Sequence, residues 1–377
     1  MPDNFNKDYD SYFKQLEEKL EKERNSQSNI KKTANNSSPS AKSKPLKGVY
    51  GVVRLNIPLI AAILSFVIII TSAAIVIPKL VASDGKSKSR GSEKSSSAPA
   101  EEKQPEVEKP AFKEGEVVAE IPASNDAKSA IIIDKQSDTI IAARNPHERA
   151  YPASTTKIMT LIVAVENITD FNDTFTMSLE ITDPLYVAEA SVAGFLNNEV
   201  INMTDLLYGM ILPSGADAAM ALAIHLAGSE EGFVKLMNKK VKELGLKNTH
   251  FDNVTGLHSE QNYSTAYDMA IILDTALKNE LCREILSTYQ YRTAKTEQNP
   301  DGILLSSTLF TYMYGTEPET ATIKGGKTGF VNESGYCIAS YGTNNENGNE
   351  YIVVTLGNTP RMPAFYGQID LYKQFAK

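Results

Sequence analysis

Apolar and polar positions divide the chain into a polar N-terminal arm, one uninterrupted apolar run, a second polar stretch and a long C-terminal region of mixed periodicity. The run from Leu55 to Pro78 carries no ionisable residue and is bounded by Arg54 and Lys79. At about 1.5 Å rise per residue it can cross a hydrocarbon core of roughly 30 Å, so residues 55–78 are expected to form an uncleaved transmembrane anchor. The alternatives are a buried helix of a soluble domain and a cleaved signal peptide. Polar flanks argue against the first, and the length of the run and of the arm before it against the second. Lys42, Lys44, Lys47 and Arg54 precede the run, and Lys79, Lys86, Lys88, Arg90 and Lys94 follow it, so charge bias leaves its orientation open.

Within the polar arm, residues 1–54, Tyr9, Tyr12, Phe13, Leu16 and Leu20 fall at helical spacing amid Glu and Lys. This reads either as a short amphipathic helix over residues 6–24 that docks on a cytoplasmic partner, or as a marginal helix in a disordered tail. After the apolar run, residues 79–114 are rich in Ser, Lys, Glu and Pro and read as a disordered, solvated stalk.

Residues 115–377 have the patterning of an ordered domain. Ser129–Asp134 (SAIIID) and Thr139–Asn145 (TIIAARN) are β-rich runs separated by Lys135–Asp138, which predicts a hairpin. A helical region follows, starting at Ser154 and including Thr204–Leu212, Asp217–Ala227 and Glu230–Leu244. Phe233, Leu236, Met237, Val241 and Leu244 form one apolar face of the last, and Gly245 is placed to end it. Another helix is expected over Ala266–Lys278, capped by Ser264 or Thr265. Strands return at Ile323–Thr328, Tyr336–Tyr341 and Tyr351–Leu356, before a final helix at Tyr366–Phe375. Strands at both ends with helices between them predict an α+β fold: one sheet built from both ends of the domain, with an inserted helical lobe and a cleft between the two.

Charge and composition remove several classes of function. A net charge of -8 with no basic stripe argues against a nucleic-acid partner. Four scattered histidines without an HExxH pattern make a zinc hydrolase unexpected, and no metal or cofactor site is proposed. Cys282 and Cys337 are too few for a disulfide framework, although one bridge between them stays open.

The candidate chemistry lies in three places. Tyr151–Met159 (YPASTTKIM) runs into the apolar stretch Leu161–Val165, which is too continuous for a surface helix and predicts a buried one with Ser154 in its first turn. Ser154 and Lys157 then share a face. Burial disfavours a charged lysine and makes it a usable proton acceptor, and the helix N-terminus favours negative charge developing near the serine oxygen. This is a nucleophile with its base one turn away. The same spacing at Ser28/Lys31 and Ser83/Lys86 lies in polar tails where nothing packs around it. In the second place, Leu212–Ala219 (LPSGADAA), Pro213 and Gly215 force a turn between helices that sets Ser214 at the lip of a cleft. In the third, Lys324–Phe330 (KGGKTGF), Lys327 and Thr328 at a strand edge followed by Gly329 suit a carboxylate and the close approach of a substrate backbone.

In this order the three places resemble the serine, S-D-N-like and K-T-G elements of penicillin-recognising enzymes. From about Glu116 to Lys377 the chain resembles the D-alanyl-D-alanine carboxypeptidases, the low-molecular-weight penicillin-binding proteins. The stretches PASTTKIMT, LLYGMILPSGADAA, LMNKKVKELGLKNTHF, YSTAYDMA and KGGKTGFVNESGYCIAS carry the likeness. The resemblance implies a β-lactamase/transpeptidase-like antiparallel sheet flanked by helices, and attack on a terminal D-Ala-D-Ala of peptidoglycan pentapeptides, with β-lactams as covalent inhibitors. It implies Ser154 as the acylated nucleophile, Lys157 as base, the N–H groups of Ser154 and Phe330 as oxyanion donors, and Ser214 with Lys327 relaying a proton. Thr328 and Arg361, the sole arginine beyond the strand that follows KTG, would bind the substrate carboxylate.

The chain departs from this pattern in two respects. Ala216 stands where the family usually has Asn, which puts rate and substrate preference in question. The chain also ends soon after the catalytic fold, without the β-rich domain and C-terminal membrane helix common in relatives, so anchoring is expected from 55–78, with the catalytic domain outside the cell. Competing readings are an endopeptidase or β-lactamase of the same fold, or a catalytically weakened module that senses cell-wall peptides.

Overall fold

The structure, a computed structural model, describes residues 110–313, 318–359 and 361–377. The arm 1–54, the apolar run 55–78 and nearly all of the stalk lie outside the described residues. Among the described residues no helix is long and apolar enough to cross a membrane.

Ile131, Ile132 and Ile133 explain why the chain extends at β2, Ser129–Asp134: β-branched side chains fit a pleated surface, and here both faces are covered. Ile131 and Ile133 enter the core on one side of the sheet and Ile132 the core on the other. β2 pairs antiparallel with β3 (Thr139–Arg144), as the hairpin reading required. Its other edge is taken by β10 (Glu350–Asn358), which pairs with β9 (Gly335–Asn344), which pairs in turn with β8 (Ala321–Val331), all antiparallel.

With β1 at Lys113–Glu120, the sheet order is β1-β3-β2-β10-β9-β8, so strands from both ends of the domain do form one sheet. It is not wholly antiparallel. β1 pairs parallel with β3. It runs opposite to β2 but leaves one place between them, and β3 fills that place by turning back from β2. β1 also begins inside the last residues read as stalk. Its sequence, KEGEVVAE, lies on an edge and lacks the apolar alternation of a covered strand.

A single 3₁₀ turn, Ala153–Thr156, leads into α1, Lys157–Asn167, whose first eight residues are all buried. Ile158 and Leu161 are fully inaccessible, and each such side chain stabilises by about 1.5–3 kcal/mol. The lobe continues through α2 (Leu179–Val187), α3 (Met203–Ile211), α4 (Ala216–Ala227) and α5 (Glu230–Glu243). Short two-stranded pairings join β4 (Thr174–Thr176) to β5 (Val200–Asn202), and β6 (Gln290–Arg292) to β7 (Leu304–Ser306). Ser229 caps α5 by accepting from Gly232 N–H, and Gly245, at φ 71°, follows its end as expected.

α6 (Ala266–Lys278) and α7 (Glu280–Ser287) return the chain to the sheet; Thr265, not Ser264, caps α6 by accepting from Asp268 N–H. The larger core lies between one sheet face and this lobe. α8 (Thr308–Met313) and α9 (Arg361–Phe375) cover the other face, where Phe365, Ile369 and Tyr372 pack with Ile132 and Val353. α9 starts five residues before the expected Tyr366. Pro363 is admitted because it falls in the first turn, where its missing N–H has no helical partner to lose. Cys282 and Cys337 are both buried free thiols, which closes the question of a bridge between them.

Candidate active site

The 3₁₀ turn and α1 place Ser154 and Lys157 side by side under the junction of sheet and lobe. Lys157 Nζ stands 3.0 Å from Ser154 Oγ and donates to the carbonyl of Thr255 at 2.5 Å. Lys157 is 2% exposed. Burial lowers its pKa from 10.5 to about 7, with the Asp217 carboxylate acting in the opposite direction. Ser154 Oγ also lies 3.4 Å from Thr255 O, so one carbonyl orients both nucleophile and lysine. The backbone is forced at this point: Ala153 takes φ 49°, a region that costs a non-glycine residue about 1–3 kcal/mol. The turn is held from both sides by residues without side chains. A Cβ on Gly256 would lie 2.0 Å from Ala153 O, and one on Gly329 would lie 2.7 Å from Ser154 N.

Ser214 reaches the same cleft from the α3–α4 turn. The left-handed residue of that turn is Ser214 itself, at φ 68°, whereas Gly215 has φ -60°. Gly215 is required for space: a Cβ there would lie 2.5 Å from Gly209 O. The Ser214 side chain is buried against the cleft and has no hydrogen-bond partner among the described residues. Ala216, the first residue of α4, lines the cleft with its methyl group and donates its N–H to Ser191 O at 2.8 Å. Beside it the Asp217 carboxylate accepts from Ala193 N–H at 2.8 Å, Gly194 at 3.1 Å, Phe195 at 3.4 Å and Ala218 at 2.9 Å. This fastens the segment that carries Ser191 to the N-terminus of α4.

The third wall is β8, the free edge of the sheet. The whole KGGKTGF stretch lies within this strand, which extends beyond the predicted Ile323–Thr328 at both ends. Thr328, Gly329 and Phe330 face the cleft, and Thr328 Oγ1 is 2.7 Å from Thr308 Oγ1. Lys327 is 1% exposed and lies behind the cleft surface, donating to Thr328 O at 2.8 Å. Burial first, and the charge of Lys157 second, drive its pKa well below 10.5. Unlike Thr328, which the sequence paired with it as a candidate for a carboxylate, Lys327 is not among the residues that line the cleft. Arg361 opens α9 and reaches the cleft between Tyr336 and Tyr312, donating Nε and Nη1 to their hydroxyls at 3.1 Å each.

All eight residues singled out in the sequence converge on one place. Seven line a cleft of about 740 Å³, and Lys327 sits directly behind its wall. Thr255 escaped notice, because its contribution is a backbone carbonyl; the adjacent Gly256 was the only mark. Tyr312, Tyr336 and Asp217 were also missed, as isolated residues carry no pattern. A hollow at Glu120–Ala123 offers no comparable chemistry, since Arg144 there is committed to four carbonyls, those of Ile121, Pro122, Asn125 and Ala127. No group of His, Cys, Asp and Glu among the described residues could hold a metal ion.

Comparison with known proteins agrees with this geometry. D-alanyl-D-alanine carboxypeptidase DacF of Bacillus subtilis is 36% identical over 223 residues, covering 58% of this chain and 54% of that protein. The D-alanyl-D-alanine carboxypeptidase of Streptomyces sp. strain K15 is 31% identical over 231 residues, covering 55% of this chain and 76% of that one. Among solved structures, the Streptomyces K15 DD-transpeptidase superposes with a TM-score of 0.57 at 27% identity, covering 71% of this chain and 99% of that chain. Penicillin binding protein 5 of Haemophilus influenzae gives a TM-score of 0.57 at 30% identity, over 67% of this chain and 70% of that chain. The chain spans about half the length of the first curated relatives it matches, 54% in each case. The sequence model of the peptidase S11 family, D-alanyl-D-alanine carboxypeptidase, matches residues 116–359, and the chain belongs to that family.

Proposed function

We propose that the protein is a serine-type D-alanyl-D-alanine carboxypeptidase acting on peptidoglycan stem peptides through an acyl-enzyme on Ser154. The observation that carries this reading is the 3.0 Å approach of Lys157 Nζ to Ser154 Oγ, with the lysine buried and its pKa brought to about 7. A lysine of that pKa is partly neutral at physiological pH and can accept the serine proton, which a lysine of ordinary pKa cannot.

The steps follow from the walls of the cleft. Neutral Lys157 takes the proton from Ser154 Oγ as the oxygen attacks the carbonyl carbon of the penultimate D-alanine. The N–H groups of Ser154 and Phe330 receive the charge that develops on the carbonyl oxygen. As the intermediate collapses, the C–N bond breaks and the terminal D-alanine leaves with the proton that Lys157 took from Ser154, passed on through Ser214 and Lys327, so that Lys157 is neutral again. Water then hydrolyses the acyl ester with Lys157 again as base. Thr328 and Arg361 hold the terminal carboxylate. β-Lactams enter as substrates whose acyl-enzyme is slow to hydrolyse.

Residues 55–78 supply the membrane anchor in this reading, with residues 6–24 on the cytoplasmic side available to a partner and the catalytic domain outside. The uninterrupted apolar run and an extracellular substrate support that arrangement. External protease on wall-stripped cells should degrade the domain and spare an N-terminal tag; the reverse pattern would overturn the orientation.

For the chemistry, D-alanine release from a pentapeptide is measured beside covalent labelling by a fluorescent penicillin. The parent should do both, and Ser154→Ala neither, while Ser83→Ala leaves both intact. A long-lived penicillin adduct without D-alanine release would favour the sensing module, and rapid penicillin turnover a β-lactamase.

A further inference from the structure

Arg361 occupies a position where a cation needs explanation. It is the first residue of α9, and the N-terminus of a helix disfavours positive charge. It is exposed, and a free arginine side chain is rich in rotamers. Left to itself, such a side chain would spread over many rotamers.

Two tyrosines from separate elements remove that freedom. Tyr336 on β9 accepts from Nε and Tyr312 on α8 accepts from Nη1, each at 3.1 Å. The guanidinium carbon stands 5.2 Å from the Tyr312 ring centre and 5.6 Å from that of Tyr336, within range of cation–π attraction to both. Each tyrosine is itself braced by a second aromatic ring. Tyr336 stacks on Phe330 of β8 at 4.4 Å, and Tyr312 packs on Phe365 of α9 at 4.9 Å. All five residues line the cleft. Two of the three guanidinium nitrogens are thus committed, and Nη2 has no partner among the described residues.

We infer that Tyr312 and Tyr336 are positioning residues that hold the Arg361 guanidinium ready for the terminal carboxylate of the substrate, and so set the preference for a free C-terminus. This rests on the carboxypeptidase reading and adds to it the source of exopeptidase selectivity. A preformed cation loses less entropy when the carboxylate arrives. Phe330 links the device to the reaction centre, because its ring braces Tyr336 while its N–H is the proposed oxyanion donor.

The test uses the full chain, Tyr312→Phe, Tyr336→Phe and the double variant, with two peptides that differ only at the C-terminus. One ends in D-Ala-D-Ala with a free carboxylate and the other in D-Ala-D-alaninamide. The measured quantity is the ratio of kcat/KM for the two. Each phenylalanine keeps the ring and removes one acceptor from a charged donor, so the double variant should lower the ratio at least tenfold, mainly through KM for the free acid. A ratio that stays within twofold of the parent, whether both rates fall together or neither changes, would overturn the inference. Should the parent remove the terminal residue from neither peptide, the carboxypeptidase reading itself fails. The clamp is then judged by acylation with benzylpenicillin against its methyl ester, where the same fall in preference for the free acid is required.

Discussion

Lys157 and Lys327 come together from two different elements, one a helix and one the edge strand, and both are shut off from solvent. Burial lowers the pKa of each, and the charge of Lys157 further opposes a proton on Lys327. Acylation then waits on loss of the proton from Lys157, whose pKa burial brings to about 7. Below about pH 7 the rate of penicillin labelling should rise close to tenfold per pH unit, and above it should level off. A rate that continued to climb into the range of ordinary lysines would remove Lys157 as the base.

The same shift has an opposite effect on stability. Between about pH 7 and 10.5 the unfolded chain holds a proton that folded Lys157 has released. The buried lysine therefore costs stability, in full below about pH 7, and the cost disappears as pH rises through 10.5. Lys157→Met keeps the volume and removes the charge. Despite losing the bond to Thr255 O, it should unfold at higher temperature than the parent at pH 7, by on the order of a few kcal/mol of added stability, with the gain shrinking toward pH 10. Acylation should be abolished in the same protein. An unfolding midpoint below that of the parent throughout this range would contradict the argument.

The strands and helices of the core were legible because their residues repeat. Ile131–Ile133 and the unbroken apolar stretch of α1 announce burial whatever surrounds them. Ser154 was legible for the same reason, since only its SxxK neighbour runs into an apolar helix. The partners of the site were not, because they act as single atoms. Thr255 offers a carbonyl that any residue would have, and Tyr312 and Tyr336 meet only once β9 and α8 are placed. The parallel edge was equally hidden, since none of the described side chains of β1 is buried and its charged sequence shows no face.

Gly329 is a further position where distance determines the outcome. Its missing side chain lets β8 pass against the nucleophile turn, and an added Cβ would meet Ser154 N at 2.7 Å and Thr155 N at 3.0 Å. Gly329→Ala should push strand and serine apart. A displacement of about 1 Å costs on the order of a hundredfold in rate, so labelling should fall by at least that much while circular dichroism stays unchanged. Retention of more than a tenth of the parental rate would show that the turn has room to yield.

Asp217 fastens the Ala193–Phe195 segment through N–H donors only, to which a carboxylate is suited and an amide is not. Asp217→Asn turns an NH₂ group toward those donors, and an unsatisfied buried group costs about 1–3 kcal/mol. Lower thermal stability should accompany a pH profile for acylation moved to more acid values, because the carboxylate supports the charged form of Lys157. Lower stability with an unmoved profile would confine Asp217 to a structural part.

The pairing of β2 with β10 also has a consequence for how the protein matures. Ser129–Leu356 is one of its registered pairs, and β8 joins the sheet only through β9 and β10. A newly made chain therefore carries Ser154 and Lys157 long before the strand that completes their cleft exists, and Ile131–Ile133 wait beside an open edge until the last strands arrive. Under the proposed function, reactivity toward penicillin would in this sense report that the two ends of the domain have met. A chain stopped at residue 349 should take up no label and aggregate, however intact its helical lobe.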